Sequence, residues 1–272
     1  MSVDLDECLK CAIDVAKKAG AEIKTAFYDG TNQSSAEWKA VADLVTAVDK
    51  KVESEVFATL RAKFPTHAFI GEESAHSTEV VDPKTPTWCV DPIDGTTNFV
   101  HRYPQCCISI ALFVDGTPAV AVIFNPVLDE LFTAIRGRGA FLNGTTRLHV
   151  SSSKTLKEAV ISTNVGTMRD DRGIAFITGN IDRLLHKQVL SMRMTGSSAM
   201  SLASVACGRL CAFYEWGIHI WDFAAGALLV TEAGGVVKDP SGKELDYSHG
   251  CVLGGTPGVV EEISQTLLQK DF

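Results

Sequence analysis

Apolar residues recur along the start of the chain at the spacing of a helix. Leu5, Leu9, Ala12, Ala16, Ala19, Ile23 and Phe27 share one face of residues 4–28, the three-and-four rhythm of an amphipathic helix. Val48, Val52, Val56 and Leu60 then repeat every four residues and predict a second helix, which begins near Thr46 and stops at Pro65. Between the two, residues 29–42 are polar and without period, and read as a loop. Residues 68–70 read as a short strand entering Gly71-Glu72-Glu73, and residues 76–86 as a polar, proline-bearing connection. Trp88-Cys-Val90 predicts an apolar strand that leaves its sheet before Pro92, because proline lacks the N–H a ladder needs. Gly95 permits a tight turn, and Thr96, Thr97 and Asn98 suit the first turn of a helix.

From Cys106 to Phe141 the pattern is that of antiparallel strands. Asp115-Gly116 separates the runs 108–114 and 119–124, and Asn143-Gly144 closes a later hairpin. After Val150 the rhythm changes. Strand-like runs at 159–163, 189–194 and 210–214 alternate with helical runs at 171–187 and 197–207, and a further helix spans 222–233 before Gly234-Gly235. The expectation is an antiparallel N-terminal lobe, residues 1–150, and an α/β C-terminal lobe, residues 151–272.

Composition narrows the function classes. Among 272 residues, 46% are hydrophobic and 21% charged, which argues for a folded globular chain. The net charge of −8 argues against a nucleic-acid binder held by phosphate contacts. No apolar run is long enough for a membrane span, and the acidic N-terminus lacks a secretory layout, so cytoplasm is the expected location. Eight cysteines include Cys8-x-x-Cys11, but no second pair completes a zinc set, and packing on the first helix explains that pair.

Six acids stand at turns or element edges: Asp49, Glu72, Glu73, Asp91, Asp94 and Asp222. Each has a plain structural explanation. Asp49 completes a capping box with Thr46, Asp91 and Asp94 suit a proline turn, Asp222 caps a helix, and Glu72-Glu73 forms an acidic loop. Taken together they also make a set of hard oxygen ligands suited to Mg²⁺ beside a phosphate. Spacing alone does not bring them to one place.

The same residues closely resemble the inositol monophosphatase family of lithium-sensitive, magnesium-dependent phosphatases. The matching segments are Asp43-Leu-Val-Thr-Ala-Val-Asp49, Gly71-Glu-Glu-Ser74, Asp91-Pro-Ile-Asp-Gly-Thr-Thr-Asn-Phe99 and Trp221-Asp-Phe-Ala-Ala-Gly226, with Glu232-Ala-Gly-Gly235 behind the last. The resemblance implies a layered αβαβα sandwich, an enzyme that hydrolyses myo-inositol monophosphate with metal-activated water, a small phosphate monoester as partner, and a homodimer. It implies a first Mg²⁺ on Glu72, Asp91 and the carbonyl of Ile93, and a second on Asp91, Asp94 and Asp222. It implies that Thr96 and Glu72 orient the attacking water, with Asp49 near a third ion. Gly95 and Thr96 would offer N–H groups to phosphate, and Lys39 would sit on a loop covering the site. For the alcohol portion it implies Asp94, Gly196, Ser197, Ser198, Glu215 and Asp222. Ser198 stands where animal members have alanine, and the 193–198 and 205–208 stretches resemble plant-type relatives that also handle L-galactose 1-phosphate. A different sugar or polyol phosphate is thus the alternative substrate, and a non-catalytic metal-binding protein the alternative class.

Overall fold

The computed structural model describes residues 3–29, 36–40, 43–74 and 81–269, with backbone only for 38–40 and 43–45. The two helical periods become α1 (Leu5–Asp29) and α2 (Ala47–Lys63). Thr46 caps α2: its hydroxyl accepts from the Val48 N–H at 3.2 Å, and Asp49 reaches back to the Thr46 N–H at 2.9 Å. The polar stretch between the helices is not all loop. It holds β1 (Glu37–Ala40) and β2 (Asp43–Val45), an antiparallel pair too short to leave a readable alternation.

Seven strands form the larger sheet in chain order: β3 (Ala68–Gly71), β4 (Thr87–Asp94), β5 (Cys107–Val114), β6 (Thr117–Asn125), β7 (Glu130–Ile135), β8 (Gly139–Leu142) and β9 (Thr146–Arg147). Neighbours are antiparallel except β3 and β4, which run parallel. One expectation fails here. β4 does not leave the sheet before Pro92 but continues through it to Asp94. Asp91 faces Ser109 while Asp94 faces Cys107, so three steps of β4 oppose two of β5. Within that irregularity the missing N–H of Pro92 breaks no ladder bond.

Beyond β4, α3 (Thr96–Val100) follows Gly95, and α4 (Asp171–His186), α5 (Ser198–Ala206), α6 (Ile220–Glu232) and α7 (Pro257–Thr266) fill the second half. The second sheet contains β10 (Val160–Ser162), β11 (Ser191–Arg193), β12 (Ala212–Trp216), β13 (Val236–Lys238) and β14 (Cys251–Gly255), ordered β11-β10-β12-β14-β13. β10 is parallel to both of its neighbours, and the β14 pairings are antiparallel.

Strand alternation sorts the core into layers. Trp88, Val90, Ile108, Ile110 and Leu112 pack with α1 and α2, whereas Cys89, Cys107, Ala111 and Phe113 pack with α5 and α6. Because both faces are covered, β4 to β6 read as continuous apolar runs. Beneath the second sheet, Ile161, Tyr214 and Leu253 meet Leu184 of α4 and Val260 and Ile263 of α7. The result is the expected αβαβα sandwich, with α5 and α6 as its central layer. Those two helices approach closely at Gly226, where a Cβ would lie 2.5 Å from the Cβ of Leu202. Glu232 at the end of α6 ties that layer to the β7–β8 turn, accepting from Gly137 N–H at 2.6 Å and Gly139 N–H at 2.7 Å. Among the described residues, no helix is long and apolar enough to cross a membrane.

Candidate active site

The irregular end of β4 and the N-termini of α2, α5 and α6 converge on one place. One carboxylate oxygen each from Asp91, Asp94 and Asp222 lies within 4.8 Å of the other two. Asp91 and Asp94 are buried and Asp222 is half-buried. At that separation each like-charge pair would cost about 3–4 kcal/mol for an effective dielectric near 20. Among the described residues no lysine or arginine pairs with the three, and the nearest basic group is His219 Nδ1, 4.0 Å from Asp222. Burial pushes the Asp91 and Asp222 carboxyls well above the usual range, and the neighbouring acids push them further. An all-oxygen, mutually repelling set of this kind fits a hard divalent cation.

Each acid is also held by its own backbone. Asp91 Oδ1 accepts from the Ile93 N–H at 2.9 Å. Asp222 is the third residue of α6 and accepts from the His219 N–H at 2.7 Å, so capping and convergence hold at once. Asp94 is seated on the N-terminus of α5. Its Oδ2 accepts from the Ser197 hydroxyl at 2.5 Å and the Ala199 N–H at 2.6 Å, and its Oδ1 from the Ser198 N–H at 3.3 Å. A helix N-terminus favours an anion there. Burial lifts the Asp94 carboxyl to about 6, and these donors limit the rise. Ser197 meanwhile caps α5 by accepting from the Met200 N–H at 3.1 Å.

Asp49 and Thr96 form the next contact. Asp49 is fully buried, and its Oδ2 accepts from both the N–H and the hydroxyl of Thr46. Its Oδ1 lies 3.2 Å from Thr96 Oγ1, which is also 3.1 Å from the carbonyl of Ile93. Burial raises the Asp49 carboxyl to about 6 against the pull of the Thr46 donors. Gly95, before Thr96, has φ +89° and no room for a side chain, since a Cβ would sit 2.9 Å from the Gln105 carbonyl.

Glu72 follows β3, half-buried, with its N–H donating to the Val90 carbonyl at 3.2 Å. It lies outside the tight trio, yet its charge raises the carboxyls of Asp49, Asp91, Asp94 and Asp222. Glu73 donates its N–H to Glu53 Oε2 at 2.8 Å. Glu53 itself was missed in the sequence, although an acid one turn beyond Asp49, between Val52 and Val56, was the available signal. The side chains of Lys39 and Asp43 lie outside the described residues.

Glu215 on β12 is buried beside the trio, and burial lifts its carboxyl to about 7. Its Oε2 accepts from the Ser198 hydroxyl at 2.6 Å and from the amide of Asn164 at 2.9 Å. The Asn164 Oδ1 accepts in turn from the Gly196 N–H at 2.9 Å. Asn164 carries no sequence signal beyond its place just after a strand-like run. Asn98, inside the matched segment but given no role there, donates to the carbonyls of Gln105 and Thr195, both at 2.7 Å. Cys89 and Cys107 lie near the acids, but burial drives both thiols far up, which disfavours a thiolate nucleophile.

Comparison with known proteins gives a consistent answer. The model of the inositol monophosphatase family matches residues 4–270. An inositol monophosphatase of Dictyostelium discoideum is 47% identical over 269 residues, covering 99% of this chain and 98% of that protein. The crystal structure of the extragenic suppressor protein suhB from Bartonella henselae superposes with a TM-score of 0.87 at 34% identity, over 98% of this chain and 100% of that one. The inositol monophosphatase structure from Anabaena gives a TM-score of 0.81 at 32% identity, over 97% and 96% of the two chains. With acids, fold and sequence all in agreement over nearly its full length, the chain belongs to the inositol monophosphatase family.

Proposed function

We propose that the protein hydrolyses myo-inositol monophosphate to inositol and phosphate, with Mg²⁺ as its cofactor and water as the nucleophile. The observation that carries this is the trio of Asp91, Asp94 and Asp222, converged within 4.8 Å with no lysine or arginine paired to it among the described residues. Glu72, Asp91, the Ile93 carbonyl, Asp94 and Asp222 would hold the ions. When bound, the cations supply Lewis acidity, drawing charge from the phosphate and easing loss of a proton from water.

The protein's own groups set the direction of attack. The Thr96 hydroxyl donates to Asp49, which leaves its lone pairs to accept from a water, and Glu72 is the second group we assign to orienting that water. With the Thr96 proton on Asp49, the Ile93 carbonyl keeps both of its lone pairs, one of which can meet a cation. The N–H groups of Gly95 and Thr96 face the phosphate in this scheme. Gly196, Ser198, Glu215, Asp94 and Asp222 surround the inositol, while Ser197 contributes by fixing Asp94. The segment 1–150 thus brings most of the charge to the site, and the segment 151–272 brings Asp222 and the polyol contacts.

We extend the proposal to a homodimer in the cytoplasm that is inhibited by lithium. Leu190 and Met194, 61% and 50% exposed, flank β11 at the edge of its sheet, and a second copy is the partner we assign to that edge. All eight cysteines are thiols, which suits a reducing compartment. Lithium inhibition is carried over from the family resemblance.

Phosphate release from inositol 1-phosphate should vanish after exhaustive chelation and return on adding Mg²⁺; full activity in the chelated enzyme would remove the metal from the mechanism. Asp94→Asn keeps the volume of a group that faces both the trio and α5 but removes its charge. It should lower kcat by more than the ~10–100-fold typical of residues that only support a metal's ligands, and a loss under tenfold in folded protein would place Asp94 outside the ion's contacts. Light scattering at micromolar concentration should report twice the chain mass, and a monomer would contradict the dimer.

A further inference from the structure

Beside the acidic trio lies a second buried hydrogen-bond system, built on Glu215. Both of its protein donors, the Ser198 hydroxyl and the Asn164 amide, fall on Oε2. Oε1 accepts from none of the described residues, and it is not among the buried atoms left without a partner, so it keeps part of the small exposed surface of Glu215. Asn164 is fixed from its other side as well. Its Oδ1 accepts from the Gly196 N–H at 2.9 Å, which settles the orientation of the amide, since a flipped one would set oxygen against Glu215 Oε2. One side chain therefore bridges the segment after β10, the turn before α5 and the carboxylate on β12.

We propose that Asn164 is a positioning residue for polyol recognition: it holds Glu215 so that Oε1 alone meets the hydroxyl groups of the substrate. This rests on the polyol-binding role proposed above for Glu215. The terminal torsion of a glutamate is broad and nearly two-fold, so an unheld carboxylate turns through many orientations. Fixing it before the substrate arrives removes that ordering cost from binding. A single presented oxygen also limits how many hydroxyls can be satisfied, and so bears on which ring orientations are accepted. The Asn164 contacts go to Glu215 and Gly196, not to the acids or to Thr96, so the effect belongs to the alcohol and not to the phosphate.

Asn164→Asp tests this with little change of shape. The bond from the Gly196 N–H survives, while a carboxylate oxygen replaces the N–H facing Glu215. KM for inositol 1-phosphate should rise about tenfold, the scale of one charge-assisted hydrogen bond, with kcat changed by no more than about twofold. Phenyl phosphate, which has no ring hydroxyls, should be hydrolysed as by the parent enzyme. In a Glu215→Gln background, whose amide can donate to the new aspartate, N164D should add no further rise in KM. Asn164→Ala should shift KM in the same direction and serves if the aspartate variant does not fold. Equal losses on both substrates, an unchanged KM, or full additivity with E215Q would overturn the positioning role. A parent enzyme that gains nothing from inositol 1-phosphate over phenyl phosphate would instead overturn the functional proposal, and this role with it.

Discussion

Buried negative charge to which no lysine or arginine among the described residues is paired is the constraint around which this molecule is arranged. Asp91, Asp94 and Asp222 converge within 4.8 Å, and burial raises all three carboxyls, with charge from neighbouring acids, Glu72 among them, adding to the rise. Folding alone does not reward such a cluster, because desolvation and repulsion both oppose it. The fold supplies partial compensation through oriented N–H groups. α5 aims its N-terminus at Asp94, the start of α6 holds Asp222, and the turn after Asp91 returns the Ile93 N–H to it. What remains uncompensated is the capacity to bind a cation.

Structural and chemical duties fall on the same side chains. Asp49 closes the capping box of α2 with Oδ2 and touches Thr96 with Oδ1. Ser197 caps α5 with its oxygen and donates its proton to Asp94. The irregularity in β4 that absorbs Pro92 also separates Asp91 from Asp94 along the strand. A bland account of any one of these residues is therefore true and incomplete. A capped helix start is a rigid mount, and a rigid mount is what a converging set of carboxylates requires.

The long periodic helices and the Asp115-Gly116 and Asn143-Gly144 hairpins were legible because their signals are local. β1 and β2 were not, since they lie in a polar stretch without alternation, and no element was read beyond Gly234-Gly235, so β13, β14 and α7 were missed as well. β4 was misjudged at Pro92 because a strand irregularity depends on the partner strand, which sequence spacing does not reveal. The acids were legible as candidates and, through family resemblance, as a set. Their convergence became visible only with the fold, because Asp91 and Asp222 lie far apart in the chain and meet across two elements. Asn164 and Glu53 escaped for a related reason. Neither sits in a motif, and each matters only through a partner distant in sequence, Glu215 for one and the Glu73 N–H for the other.

A cation that binds this site must compete with the raised affinity of its carboxyls for protons. Asp49 and Asp94 are lifted to about 6, and burial with the neighbouring acids pushes Asp91 and Asp222 well above the usual carboxylate range. In the metal-free protein the acids therefore still carry protons near pH 6, and a bound cation, which favours the ionised forms, must expel them. Calorimetric titration with Mg²⁺ in two buffers of different ionisation enthalpy measures that release. The prediction is about one or more protons released per ion at pH 6, with fewer at pH 8 and tighter binding at the higher pH. Binding with no proton release at pH 6, or with an affinity that does not change between pH 6 and 8, would contradict it.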